Sequence, residues 1–395
     1  MRTKKYLLAV VPLMLAACSS SDTVAEAEVP DTPYGITPLN LLVTNSPIAM
    51  TRAEQDIQET EFDLNETVDI FLYDAHTGSE EKSVYGADNT AVKYVKVANP
   101  TTSLSTSGNL TPVVSVGLPT AYFWPKKMHP LGIYGIYPSD ILNGSDALKH
   151  GDTNVKFTVQ ADQTANTAYK QSDLMFGQPS GIYVNGAEQN LATITAAGTA
   201  FTPITQQEGQ GTVKLTFRHM LSKVMVNVRA TDLSTTITQD MIDYTGTTDT
   251  KYARVSIINT IPSATFSVGK YGTTVTTDAV GDIIAGRGGS TVITESTVDV
   301  TYHTSVACVV VPQTVAKGTA FIKIELIDAT SGTPTVTDTF YYSVPNGAGD
   351  SALTLQPGYV YTYNIRVNKA DLTVTSTISA WDNTTPAVTD YGEQQ

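Results

Sequence analysis

Cys18 and Arg52 are the two residues of this chain whose neighbours suit them to covalent chemistry. Leu15-Ala16-Ala17-Cys18 places small side chains before a scissile bond and a thiol at the new N-terminus, the arrangement that accepts a diacylglycerol. Ahead of it, Arg2, Lys4 and Lys5 form a basic patch, and Tyr6 to Leu15 an apolar stretch too short to span a bilayer. Residues 1–18 therefore read as a lipoprotein signal peptide with its lipobox, and Cys18 as the lipidation site. Arg52 is the only arginine between Arg2 and Arg218, although lysines are frequent there. It follows an apolar run and a Pro-bearing bend, Leu39 to Ala53 reading LNLLVTNSPIAMTRA. The Arg52–Ala53 bond is a natural address for a trypsin-like protease.

Other reactive groupings are missing from the sequence. There is no G-x-S-x-G elbow, phosphate-binding loop, C-x-x-C, H-E-x-x-H or calcium loop, and the five histidines are scattered. No enzymatic activity, metal or cofactor is expected. Cys308, the only cysteine after Cys18, lies in the apolar run VACVVVP and reads as a buried, inert thiol. His219, between Phe217 and Leu221, reads as a satisfied structural histidine, and Tyr122, Phe123 and Trp124 as core aromatics at a strand end. Removing Arg2, Lys4 and Lys5 with the signal leaves 21 basic against 38 acidic side chains, a net charge of −17. Such an acidic chain is a poor partner for nucleic acid or anionic lipid.

These residues must be carried by strands. Residues 19–38 are polar, acidic and proline-bearing, and read as a tether. Beyond Arg52, TVDIFLYDA, VKYVKV, LGIYGIYP and KFTVQA follow one another with turn residues between, all rich in β-branched and aromatic side chains. The Gly/Gln-rich stretch near Gly209 suggests a domain boundary. After it, VKLTFRHMLSKVMVNVRA shows two alternating runs, Val213, Leu215, Phe217 and then Val224, Val226, Val228. The phase break between them predicts a bulge or kink at His219 to Ser222. RVSIINTI, SVACVVVP, FIKIELID and YVYTYNIRVN continue the strand pattern, and two packed β-sandwiches fit it best. One more strand follows, with Leu372, Val374 and Ile378 on one face and Trp381 and Val388 beyond. On pattern alone it either pairs with its own sheet or protrudes as an arm.

Lipobox, tether, early strand, lone arginine, sandwiches and a spare last strand together resemble the fimbrillin family, the type V pilins and minor-fimbrium-like lipoproteins of Bacteroidales. The resemblance rests also on Thr51-Arg52-Ala53, IYGIYP at 133–138, SDLMFG at 172–177, FRHMLSKVMVNV at 217–228 and LQPGYVYTYNIRVNKADLTVTSTISAW at 355–381. The fold then expected is all-β: two β-sandwich domains of transthyretin-like, Greek-key type in tandem (53–209 and 210–370), with a C-terminal donor strand at 371–395. Residues 19–52 become a tether plus a removable first strand. The resemblance implies a structural pilin that reaches the outer membrane as a lipidated precursor and is cut by an arginine-specific surface protease after Arg52, making Ala53 the mature N-terminus.

On this reading Leu39, Leu41 and Val43, with Leu42 outward, fill a groove that the cut vacates. Another subunit's arm, carrying Leu372, Val374, Ile378, Trp381 and Val388, then enters as a donor strand. Burying three to five such side chains contributes roughly 5–15 kcal/mol gross per junction. The contact is head-to-tail and need not close, so it builds an extracellular fimbrium that supports adhesion. Partners are copies of itself or related fimbrial subunits. The alternatives are a surface glycan-binding lipoprotein and a tip or anchor subunit.

Overall fold

A computed structural model describes residues 34–45, 67–74, 92–97, 108–112, 122–125, 131–140, 154–184, 187–190, 210–230, 241–242, 250–267, 274–275, 279–286, 291–295, 298–368, 372–380 and 386–389. Cys18, Arg52, Ala53 and Trp381 lie outside them. Nearly every described element is a strand, as the period-2 alternation and β-branched composition require. One helix, α1 (Asn166–Gln171), interrupts them.

The described residues of the first half hold eleven strands: β1 (Tyr34–Pro38), β2 (Asn40–Asn45), β3 (Thr67–Asp74), β4 (Val92–Val97), β5 (Gly108–Pro112), β6 (Phe123–Pro125), β7 (Leu131–Tyr137), β8 (Asn154–Thr158), β9 (Met175–Val184), β10 (Ala187–Asn190) and β11 (Gln210–His219). Strands β9, β11, β2, β5, β4, β3 and β7 pair in that order, and β7 pairs back to the start of β9. The ladder therefore closes on itself, with β10 added on β9. Inside sits a core of Leu39, Leu41, Val68, Ile70, Leu72, Tyr122, Trp124, Leu131, Ile133, Val213, Leu215 and Phe217 among others.

Closure depends on two glycines. Gly135 of IYGIYP and Gly177 of SDLMFG are register partners across β7 and β9, and the buried ring of Phe217 from FRHMLS covers both. A Cβ on Gly135 would lie 2.3 Å from Phe217 Cζ, and one on Gly177 2.6 Å from the same atom. Only a residue without a side chain lets the ring reach that seam. Three motifs far apart in sequence thus meet at one contact.

The phase break at His219 to Ser222 is where the chain changes core. Val213, Leu215 and Phe217 belong to the first core; Val224, Val226 and Val228, on β12 (Ser222–Ala230), belong to the second. Between them Met220 donates its N–H to Leu174 O at 2.9 Å, and Leu221 O accepts from Gly358 N at 2.8 Å. At the same bend His219 Nδ1 lies 2.7 Å from Asp173 Oδ1, both side chains buried. His219 is a structural histidine held by a carboxylate, as its apolar neighbours suggested.

The second half is a sandwich. Strand β12 lies between the strands Thr304–Val310 and Tyr359–Val367, and Leu372–Ala380 and Pro386–Thr389 extend that sheet. Facing it, Lys251–Thr260 and Ala320–Asp328 are flanked by Gly281–Ile284 and Thr335–Ser343. Tyr363 of one sheet meets Phe321 and Tyr342 of the other at ring separations of 5.8 and 5.4 Å. Cys308 is fully buried here, and burial pushes its thiol pKa up.

The halves are knitted together. Strand β8 precedes the boundary expected near Gly209, yet it pairs with Ser263–Ser267, Phe157 meeting Phe266 edge-on. Strand β11 follows that boundary and belongs to the first ladder. Phe71 and Ile136 turn from the first ladder into the second core. Replacing Gly135 by alanine should lower stability by about 1–3 kcal/mol, because the buried ring has no space to yield. Denaturant melts of Gly135→Ala, Phe217→Leu and the double variant should show the pair to be less than additive; strict additivity would mean that the ring and the glycine do not share the seam.

Candidate functional site

The early strand predicted near Leu39 to Val43 forms, and it occupies the middle of the closed ladder. Strand β2 runs parallel to β11, from Thr212 opposite Asn40 to Phe217 opposite Asn45. On its other edge it runs antiparallel to β5, with Leu41, Leu42 and Val43 opposite Leu110, Asn109 and Gly108. Alternation puts Leu39 and Leu41 on the inner face, where they are 4% and 1% exposed and pack in one core with Val213, Leu215 and Phe217. Val43 is opposite Leu215 in the ladder. Burying the two leucines contributes roughly 3–6 kcal/mol gross.

The neighbours of β2 do not depend on it alone. Strand β11 is also laddered to β9 along 210–219, and β5 to β4 along 109–112. If β2 left, both would remain strands, each with an open edge beside an apolar trough. Because β2 is parallel to β11 and antiparallel to β5, a strand entering in either direction would find one parallel and one antiparallel ladder. Backbone pairing therefore leaves direction open, and side-chain spacing has to set it.

The segment before β2 is a strand too, which sequence reasoning missed. Strand β1 pairs not with the ladder but with β6, Tyr34 opposite Pro125 and Pro38 opposite Phe123. Leu39 is the crossover: its N–H donates to Tyr122 O at 2.8 Å, continuing the β1 pairing, while its side chain starts the β2 face. Tyr122 and Trp124, flanking Phe123, are 3% and 1% exposed in that same core, and burial raises the Tyr122 hydroxyl pKa. They are core aromatics and offer no exposed sugar-stacking face. The prolines bracketing Tyr34–Pro38 hid this strand, since they read as tether.

Of the two placements left open for the last strand, the structure shows pairing with its own sheet. Residues 372–380 run antiparallel to Tyr359–Val367, and Pro386–Thr389 pairs with Ser376–Ser379. Leu372 and Val374 are buried in the second core, and Ile378 is partly buried against it. Val388 lies opposite Thr377. Strand β2 and this last strand thus belong to different sheets.

Comparison with known proteins follows the same lines. Residues 51–381 match the family described as fimbrillin-like, so the matched region begins after β2. A protein from Bacteroides uniformis, provisionally assigned to cell adhesion, superposes with a TM-score of 0.51 at 16% identity, over 87% of this chain and 98% of that one. A counterpart from Bacteroides ovatus gives 0.50 at 13% identity, over 88% and 98%. The tip fimbrial protein Mfa3 of Porphyromonas gingivalis, truncated at its C-terminus, gives 0.41 at 12% identity, over 87% and 99%. No curated protein is a significant match to the chain. The all-β fold is shared with the Bacteroides uniformis protein. With the family model spanning residues 51–381, most of its length, the chain belongs to the fimbrillin-like family.

Proposed function

We propose that this chain is a structural pilin subunit of a cell-surface fimbria, exported as a lipoprotein through Cys18, cut after Arg52 and polymerised by donor-strand exchange. The observation that carries the proposal is the position of β2. An interior strand, laddered on both edges and burying Leu39 and Leu41, is joined to the rest of the fold only through the segment that contains Arg52. Cleavage at Arg52–Ala53 makes that strand a separable ligand, and the slot it leaves takes a strand from another chain. The family match beginning at Thr51 supports this, because the shared region leaves out the strand to be removed.

The donor is the C-terminal arm of a neighbouring copy or related subunit, with Leu372, Val374, Ile378, Trp381 and Val388 as its anchors. In the free subunit Leu372 and Val374 already close the second core. Exchange moves them from one core into another, so the net gain per junction rests mainly on the emptied slot and on Ile378 and the residues after it. Until the cut, β2 blocks the slot and prevents early polymerisation. The precursor belongs to the outer membrane, and the polymer to the extracellular surface, where it supports adhesion.

Protein extracted from the cell surface should begin at Ala53 and form high-mass ladders that resist mild denaturation, whereas Arg52→Ala should accumulate as unpolymerised precursor. N-terminal analysis that finds only lipidated Cys18, in cells carrying the protease, would contradict the pilin reading. Deletion of 371–395 should abolish chain growth. Because that deletion also removes Leu372 and Val374 from the second core, circular dichroism and a second deletion, 381–395, separate loss of the donor from loss of the fold. Filaments from a folded 371–395 deletion would overturn the donor assignment.

A further inference from the structure

The segment upstream of Arg52 fills two places, not one, and the second has its own consequence. Strands β11 and β5 keep β9 and β4 when β2 departs. Strand β6 is different: among the described residues the sheet that holds it has one other strand, β1, and β1 departs with β2. The aromatic pair flanking Phe123, Tyr122 and Trp124, sits in the core that Leu39 and Leu41 help to close. An incoming strand matched only to the six residues of β2 would refill the main slot and leave the β6 ladder open beside Trp124.

The geometry points to β6, Phe123–Pro125 with the Tyr122 carbonyl, as a second acceptor subsite for a strand from a second copy of this chain. This rests on the strand-exchange reading above. The incoming strand is then about a dozen residues long: one part enters between β11 and β5, and the contiguous part pairs with β6 in place of Tyr34–Pro38. The join between the two parts takes the place of Leu39, whose N–H reaches Tyr122 O at 2.8 Å. The subsite measures the length of the incoming strand, because a short strand gains the slot but not the β6 ladder, and so leaves faster.

The chain contains two tryptophans, so Trp381→Phe makes Trp124 the sole indole reporter. A full chain carrying that change and a unique protease site at 47–52 is cut, and the retained segment is competed with two synthetic peptides, residues 34–45 and residues 40–45. The long peptide should displace the segment at a concentration at least tenfold lower and leave Trp124 emission where it was. The short peptide, at saturation, should shift the emission to the red. A long peptide with an N-methyl group on Leu39, which deletes the bond to Tyr122 O, should lose most of the tenfold advantage. Equal potency of the long and short peptides with no red shift would overturn the subsite while leaving the slot intact. Failure of both peptides to displace the segment, even in mild denaturant, would overturn the slot reading and the subsite with it.

Discussion

The structure turns on the requirement that every interior strand edge be paired. A strand inside a closed ladder carries N–H and C=O groups on both sides, and leaving them bare in an apolar trough is costly. In this chain the strand that satisfies β11 and β5 comes from a segment placed before Arg52, the one arginine between Arg2 and Arg218. The ladder is complete only while that segment stays, and the chain that links it to the rest of the fold passes through Arg52, the residue proposed above for cleavage. Under the proposed function, stability and assembly then depend on the same short stretch, Leu39 to Asn45.

Closure of the ladder makes this arrangement workable. If β7 and β9 did not meet, losing β2 would open a sheet that already had free edges, and the halves could drift apart. Gly135 and Gly177 let Phe217 lie across the seam, and Phe217 ends the same β11 face whose Val213 and Leu215 line the slot. Just beyond, Asp173 and His219 hold the bend that carries β11 into β12. The β11 wall beside β2 is thus anchored at its far end to the closing seam and to the second core, independently of β2.

Much of this was readable from the sequence where a local rule applies. Period-2 alternation marked β11, β12 and the strand at 359–367, and the phase break at His219 to Ser222 marked the passage between cores. The burial of Leu39 and Leu41 followed from the same alternation. Partner choice was not readable, because pairing between distant strands depends on register and closure that no local pattern encodes. Strand β8 pairs with Ser263–Ser267 across the expected boundary, and β11 joins the first ladder rather than the second, for this reason. Strand β1 was hidden by its prolines, which suit an edge strand as well as a tether. The motifs IYGIYP, SDLMFG and FRHMLS were noticeable as strings, but only the fold shows that two glycines and a ring explain why they belong together.

Under the proposed function, β11 and β5 exchange one strand partner for another. Hydrogen–deuterium exchange measured on the precursor, on the cut subunit freed of its upstream segment, and on the assembled polymer tests it most directly. Amides of 212–217 and 108–110 that face β2 should be protected in the precursor, exchange rapidly in the freed subunit, and be protected again in the polymer. Protection that stays the same in all three states, or a polymer in which residues 34–45 remain bound one to one, would contradict the account.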